Sequence, residues 1–268
     1  MRLDTSKAWS ETTATVSANR ELLAAIAGVF FFLPALALAL FQPQPEPPEG
    51  AQLREMLAML GTYYRAAGPY LMAAALVQVL GQLAVLTLTA GQRQATVGDA
   101  IRTAARGLPS YIGAQLVLLV GIALVFLLLG LIATLSQPLA VLLGLAATGV
   151  AMWVSLRCLL SPVVIAVEGL RGPIAVLRRS WDLTRGNAGR LALFVLILAL
   201  AVMVIAGIGS TLSGIVFALV GGPSAGRTAG DAVAALIGAA ATTYFTLSFA
   251  AIHRQLAGSA ARDQAVFE

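Results

Sequence analysis

Long apolar runs alternate with short polar stretches along this chain, and six of the runs stand out: residues 22–41, 70–90, 111–135, 139–167, 191–220 and 232–252. A helix rises about 1.5 Å per residue, so about 20 apolar residues cross a hydrocarbon core of roughly 30 Å. Each run meets that length. None alternates with period two, and a backbone in lipid must satisfy its own hydrogen bonds, so the runs predict helices rather than barrel strands. The expected fold class is all-α, a polytopic membrane protein with six transmembrane helices.

The polar stretches carry a second pattern. In residues 96–108, Val97, Ala100, Ile101, Ala104 and Leu108 recur at helical spacing, with Asp99, Arg102 and Arg106 opposite. Residues 173–186 repeat the plan. There Ile174, Leu177 and Trp181 share a face, Arg178, Arg179, Asp182 and Arg185 form the other, Pro173 suits a first helical position and Gly186 a stop. Both stretches predict cytoplasmic amphipathic helices lying in the interface. Weaker versions surround Trp9 and Val16, and Leu53 to Tyr64. Aligning these units suggests a threefold repeat of one interfacial helix followed by a helical hairpin, with Asn19-Arg20, Arg106-Gly107 and Arg185-Gly186 at equivalent junctions. The same appearance arises in any protein of even hairpins with its bases on one side. The domain plan is a cytoplasmic amphipathic segment at 1–21, a membrane domain at 22–252 and a cytoplasmic tail at 253–268.

Composition agrees with the pattern. The 268 residues are 59% hydrophobic and 11% charged, against about 25% charged in soluble domains. Sorting the 17 Lys and Arg by alternate sides of the six runs leaves only Arg54, Arg65 and Arg227 on one side. Basic residues are retained on the cytoplasmic face. Both termini are therefore expected in the cytoplasm, the location is a bacterial plasma (inner) membrane, and the net charge of +5 records orientation rather than a nucleic-acid partner. The Pro-rich residues 41–50 then form an extended outer linker. A cleavable signal peptide is the rival reading of the first run, because Ala35, Ala37 and Ala39 offer small residues at alternating positions. Cleavage would move only the N-terminus.

Candidate chemistry is sparse. One cysteine, Cys158, and one histidine, His253, give no disulfide and no thiolate or imidazole cluster, so no metal and no cofactor are expected. Nucleophile elbows, phosphate loops and paired-histidine helices are absent from the sequence, so an enzyme is not expected. Gln78 and Gln82 stand one turn apart in the second run, placed to join helices by hydrogen bonds or to line a substrate path. Arg157 and Glu168 fall in one apolar run, at a spacing that shares a face if the helix continues, with Pro162 between them. Either Arg157 snorkels and the chain turns along the interface to Glu168, or Arg157, Glu168, Gln78 and Gln82 line a polar cleft toward the cytoplasm. Small residues recur every fourth position at Ala140, Gly144 and Thr148, at Ala206, Ser210 and Gly214, and at Ala234, Gly238 and Thr242, predicting close helix approach.

Ala175, Arg179, Ser180, Trp181, Leu183, Thr184, Gly186 and Asn187, with Glu168 ahead of the Gly-Pro that opens the helix, resemble a signature of a broad bacterial family. It is similar to the membrane domain attached to some glycerophosphoryl diester phosphodiesterases, and to related stand-alone six-helix inner-membrane proteins. The phosphodiesterase activity of that family belongs to a separate soluble barrel, so the resemblance implies no catalytic residue. It implies a structural or accessory role in envelope or lipid homeostasis. The expected contacts are the bilayer and anionic phospholipids, or a membrane-protein partner or second copy, through Arg178, Arg179, Trp181, Arg185 and Arg190. The alternative is a small transporter or permease-like component for a lipid or amphiphile, built on the polar cleft.

Overall fold

The computed structural model describes residues 3–42, 45, 50, 52–89 and 96–267, with side chains described through residue 258. Seven longer helices follow in order among the described residues, with two short helical turns between the fifth and the sixth: α1 (Thr5–Ala18), α2 (Arg20–Phe41), α3 (Leu53–Thr89), α4 (Val97–Ala133), α5 (Gln137–Arg157), α6 (Pro173–Leu183) and α7 (Ala188–Phe267). The described secondary structure is entirely helical. Five stretches are long and apolar enough to cross a membrane: Arg20–Phe41, Leu53–Thr89, Val97–Ala133, Gln137–Glu168 and Ala188–Gly258. Their outward faces carry Leu127, Leu142, Met152, Met203 and Leu219, all exposed. At roughly 25 cal/mol per Å² of apolar surface, contiguous faces of this kind need a hydrocarbon solvent. The chain is a multi-pass helical membrane protein.

Two of the amphipathic stretches are continuous with the apolar runs that follow them. Leu53 to Tyr64 is the start of α3, and residues 96–108 are the start of α4, with Pro69 and Pro109 inside the respective helices. The start of α4 is fixed locally: Thr96 Oγ1 accepts from the Asp99 N–H at 3.2 Å and donates to Asp99 Oδ2 at 2.7 Å. That arrangement satisfies an N–H that the first turn leaves without a partner. Most of the Pro-rich segment, together with Arg2 and Arg93, lies outside the described residues, as does the Arg262 side chain.

The chain divides into two compact units. The first holds Met1–Thr15, Leu83–Leu196 and Thr246–Glu268. In it α4 and α5 are joined by a turn at residues 134–136, and α6 lies against the first half of α4. Ser110 Oγ on α4 donates to the Arg171 carbonyl, and a Cβ on Gly113 would meet the Pro173 ring at 2.7 Å. Gly107 is equally close to Ile165, at 2.8 Å. Leu83, Leu86, Leu160, Val163, Val164, Val176, Leu191 and Ile252 are fully buried there.

The second unit holds Val16–Gln82 and Ile197–Phe245. Phe30 and Phe31 of α2 lie directly over Gly81 of α3, which has no room for a Cβ, and Tyr63 Oη donates to the Gln42 carbonyl at 3.0 Å. The long α7 is broken at Gly222, with φ 83° and ψ 176°, a conformation open to glycine almost alone. Pro223 follows and cannot donate to a continuing ladder. The two arms pack on each other. A Cβ on Gly226 would stand 2.5 Å from the Gly214 carbonyl oxygen, one on Gly230 3.1 Å from that of Ser210, and one on Gly209 2.9 Å from Ile237. Numbers rise on one arm as they fall on the other, so the arms form an antiparallel hairpin. The small-residue stripe through Ser210 and Gly214 is thus a site of close approach. Around Gly144 and Gly238 the space is open to 4 Å.

Candidate functional site

The polar groups of the first unit gather where α5 ends. Helix α5 stops at Arg157, residues 158–160 turn, Ser161–Val163 makes one helical turn headed by Pro162, and Val164–Glu168 follows as a wide π-turn before α6 begins at Pro173. Ser161 donates twice to the Cys158 carbonyl just past the end of α5, from its Oγ at 2.6 Å and from its N–H at 3.1 Å.

Arg157 turns back onto α6. Its Nη2 donates to the carbonyl of Trp181 at 2.8 Å, its Nε donates to Thr184 Oγ1 at 3.3 Å, and its guanidinium carbon sits 3.8 Å from the centre of the Trp181 ring. The Arg157 carbonyl in turn accepts from Ser180 Oγ at 2.8 Å. Ser180 and Thr184 are buried one turn apart on the same face, so α6 docks its hydroxyls onto the end of α5. The guanidinium forms the other half of the clasp.

Glu168 makes a second knot. Its Oε2 accepts from Arg179 Nε at 2.8 Å, and its Oε1 lies 2.8 Å from Nε2 of His253 on α7. The carboxylate's hydrogen bond pushes the Arg179 pKa further up from its ordinary value. His253 is buried, and its Nδ1 has no hydrogen-bond partner among the described residues. A third set of bonds ties down the N-terminal strand of chain. Asn187 Oδ1 accepts from the buried Leu3 N–H at 2.8 Å, and Arg190 Nη1 donates to the Leu3 carbonyl at 3.0 Å. Thr12 of α1 meets Ser248 of α7 at 3.3 Å, and Glu11 pairs with Arg254 at 3.5 Å.

The residues singled out by sequence therefore separate into three groups. Arg157, Arg179, Trp181 and Arg190 are engaged inside the first unit. Arg178 and Arg185 stand exposed on and just after α6, and the αL glycine Gly186 (φ 78°) ends that segment as its sequence predicts. Arg157 and Glu168 take different partners, because the helix breaks between them and helical spacing no longer relates their positions. Gln78 and Gln82 are half-buried on α3 and belong to the second unit, whereas Arg157 and Glu168 belong to the first.

Sequence reasoning missed His253 as the partner of Glu168. The signal was present: the only histidine ends the last apolar run, as Glu168 ends the fourth, so both are expected at the same membrane depth. The Leu3–Asn187 bond had no such signal. Among the described residues no three of His, Cys, Asp and Glu come together as a metal site. Glu168 and His253 are a pair whose carboxylate already serves Arg179. Ion pairs and hydrogen bonds here join the end of α5, the turn after it, α6 and α7.

The sequence model of a family described as a domain of unknown function, DUF7847, matches residues 8–256. No curated protein and no solved structure matches the chain.

Proposed function

The chain belongs to the DUF7847 family, and from the bonding of its α6 segment we propose a non-enzymatic inner-membrane protein that presents a clasped arginine surface to anionic lipid headgroups. The observation that carries this reading is the division of arginines around one short helix. Arg157 and Arg179 fix the segment to its own unit, and Arg178 on it and Arg185 just after it remain exposed. Exposed bases near an anionic surface attract it at about 1 kcal/mol each. The clasped helix carries Arg178, and Arg185 follows two residues after its end.

In this reading both arms of α7 cross the bilayer, which brings the crossings to six and puts both termini on the cytoplasmic side with most of the bases. The helix-plus-hairpin plan then occurs three times: α1 before α2 and α3, the start of α4 before its hairpin with α5, and α6 before the arms of α7. The resemblance of the α6 signature to the membrane domains of glycerophosphoryl diester phosphodiesterases supports a structural or accessory role in envelope or lipid homeostasis. A permease role would need Arg157 and Glu168 facing a hydrated path. Each is instead engaged by neighbours in its own unit.

The test is retention on vesicles. Purified, correctly inserted protein in nanodiscs is offered vesicles with and without phosphatidylglycerol, and Arg178→Gln and Arg185→Gln are compared with the parent. Retention on the anionic vesicles should fall roughly fivefold for each charge removed. Equal retention by the double variant overturns the reading.

A further inference from the structure

The second unit contains a groove that the α6 surface does not explain. It has a volume of about 280 Å³ and runs between α2 and the second arm of α7, with Arg20, Ala24, Gly28 and Phe32 on one wall and Ala240 and Tyr244 on the other. Four features of it point to a ligand. Its walls are almost wholly apolar and belong to stretches long enough to cross a membrane, so water has too few polar partners to fill it. From Arg20 to Phe32 the helix rises about 18 Å, close to the roughly 15 Å that half a hydrocarbon core measures. Arg20 lines the end of the groove on α2, and no carboxylate lines it anywhere.

The fourth feature is local backbone geometry. Gly28–Phe32 is a π-helical turn inside α2, and insertions of this kind are frequent at functional sites. Here Gly28 and Phe32, the two ends of that turn, both line the groove. A Cβ at Gly28 would meet nothing within 4 Å. Phe30 and Phe31, between them, pack the other way onto Gly81. The turn thus widens one face of α2 while its opposite face stays closed against α3. A second groove of about 370 Å³, between α4 and α5, has no charged residue in its lining.

We propose that the α2 groove binds one acyl chain of a lipid whose anionic headgroup is held at Arg20. The proposal needs the membrane-spanning reading of α2 and α7, and it does not depend on Arg178 or Arg185. The full chain, purified in mild detergent and offered equal amounts of phosphatidylglycerol and phosphatidylcholine, is examined by native mass spectrometry. The parent should retain one lipid with about fivefold preference for phosphatidylglycerol. Gly28→Leu fills the groove from one wall and Ala240→Leu from the other, and each should remove the retained lipid of either kind. Arg20→Gln should keep a lipid and lose the preference.

If folded Gly28→Leu or Ala240→Leu retains the parental lipid and preference, the proposal is overturned; where one variant fails to fold, the other decides. Persistence of the preference in Arg20→Gln overturns the assignment of the headgroup to that residue. The pair Arg178→Gln, Arg185→Gln should leave this one-lipid stoichiometry unchanged. Loss of vesicle retention without loss of the lipid, or the reverse, tells the two readings apart.

Discussion

Arg157 lies 3.8 Å over the ring of Trp181 and at the same time donates to the carbonyl oxygen of that residue. One side chain thereby reads both the face of an aromatic and the backbone of the helix that carries it. Because Arg157 is the last residue of α5, the contact fixes α6 directly to the end of a membrane-crossing helix. The planar guanidinium suits both tasks, stacking with its face and donating from its edge.

Replacing Arg157 with Lys should therefore fail to preserve the clasp although it preserves the charge. An ammonium can make one point contact but cannot stack on Trp181 while donating to both the Trp181 carbonyl and Thr184. The expected loss is about 1–2 kcal/mol, read as unfolding in mixed micelles. Trp181→Ala removes the ring and leaves the carbonyl, so its cost should overlap that of Arg157→Lys. In a double-mutant cycle the two should fall short of additivity by about 1 kcal/mol. Full additivity would show that the stacking contributes nothing.

At Glu168 the two partners are unequal, and this gives an ordered expectation. The Arg179 side chain is 37% exposed and can turn to water, whereas that of His253 is 5% exposed and cannot. Arg179→Gln should cost under about 1 kcal/mol, as partly solvated ion pairs do. Glu168→Ala also removes the acceptor facing a buried ring nitrogen and should cost about 1–3 kcal/mol. Melting of the two variants in the same detergent checks the order, and an equal or larger loss in Arg179→Gln would contradict it.

What could be read from the sequence follows from the range of the interactions involved. Apolar runs and their lengths are local, so the membrane-crossing helices were legible, as was α6 between Pro173 and Gly186. Whether an amphipathic stretch continues into the next run is a different question. Periodicity reports which face is apolar, and neither Pro69 nor Pro109 stops the helix that contains it. The Arg157–Glu168 spacing left two readings open, a shared helical face or a turn between the two residues, and the break across residues 158–160 gives them different partners. The bonds from Leu3 to Asn187 and from Glu168 to His253 cross most or much of the chain, and no periodicity can encode such pairings.

The α7 hairpin offers the sharpest contrast between two chemically identical changes. Alanine is a better helix former than glycine by up to about 1 kcal/mol, so Gly238→Ala, with open space around the new methyl, should leave stability unchanged or raise it. Gly226→Ala puts the same methyl 2.5 Å from the Gly214 carbonyl oxygen and 2.7 Å from the Ala218 Cβ. Backbone cannot yield as a flexible side chain can, so the arms must separate, and overpacking of this kind costs typically about 1–3 kcal/mol. The two variants should therefore move the melting temperature in opposite directions in the same micelles. A stabilised Gly226→Ala protein would mean that the arms do not meet at Gly214 and that the turn at Gly222 does not fold the chain back.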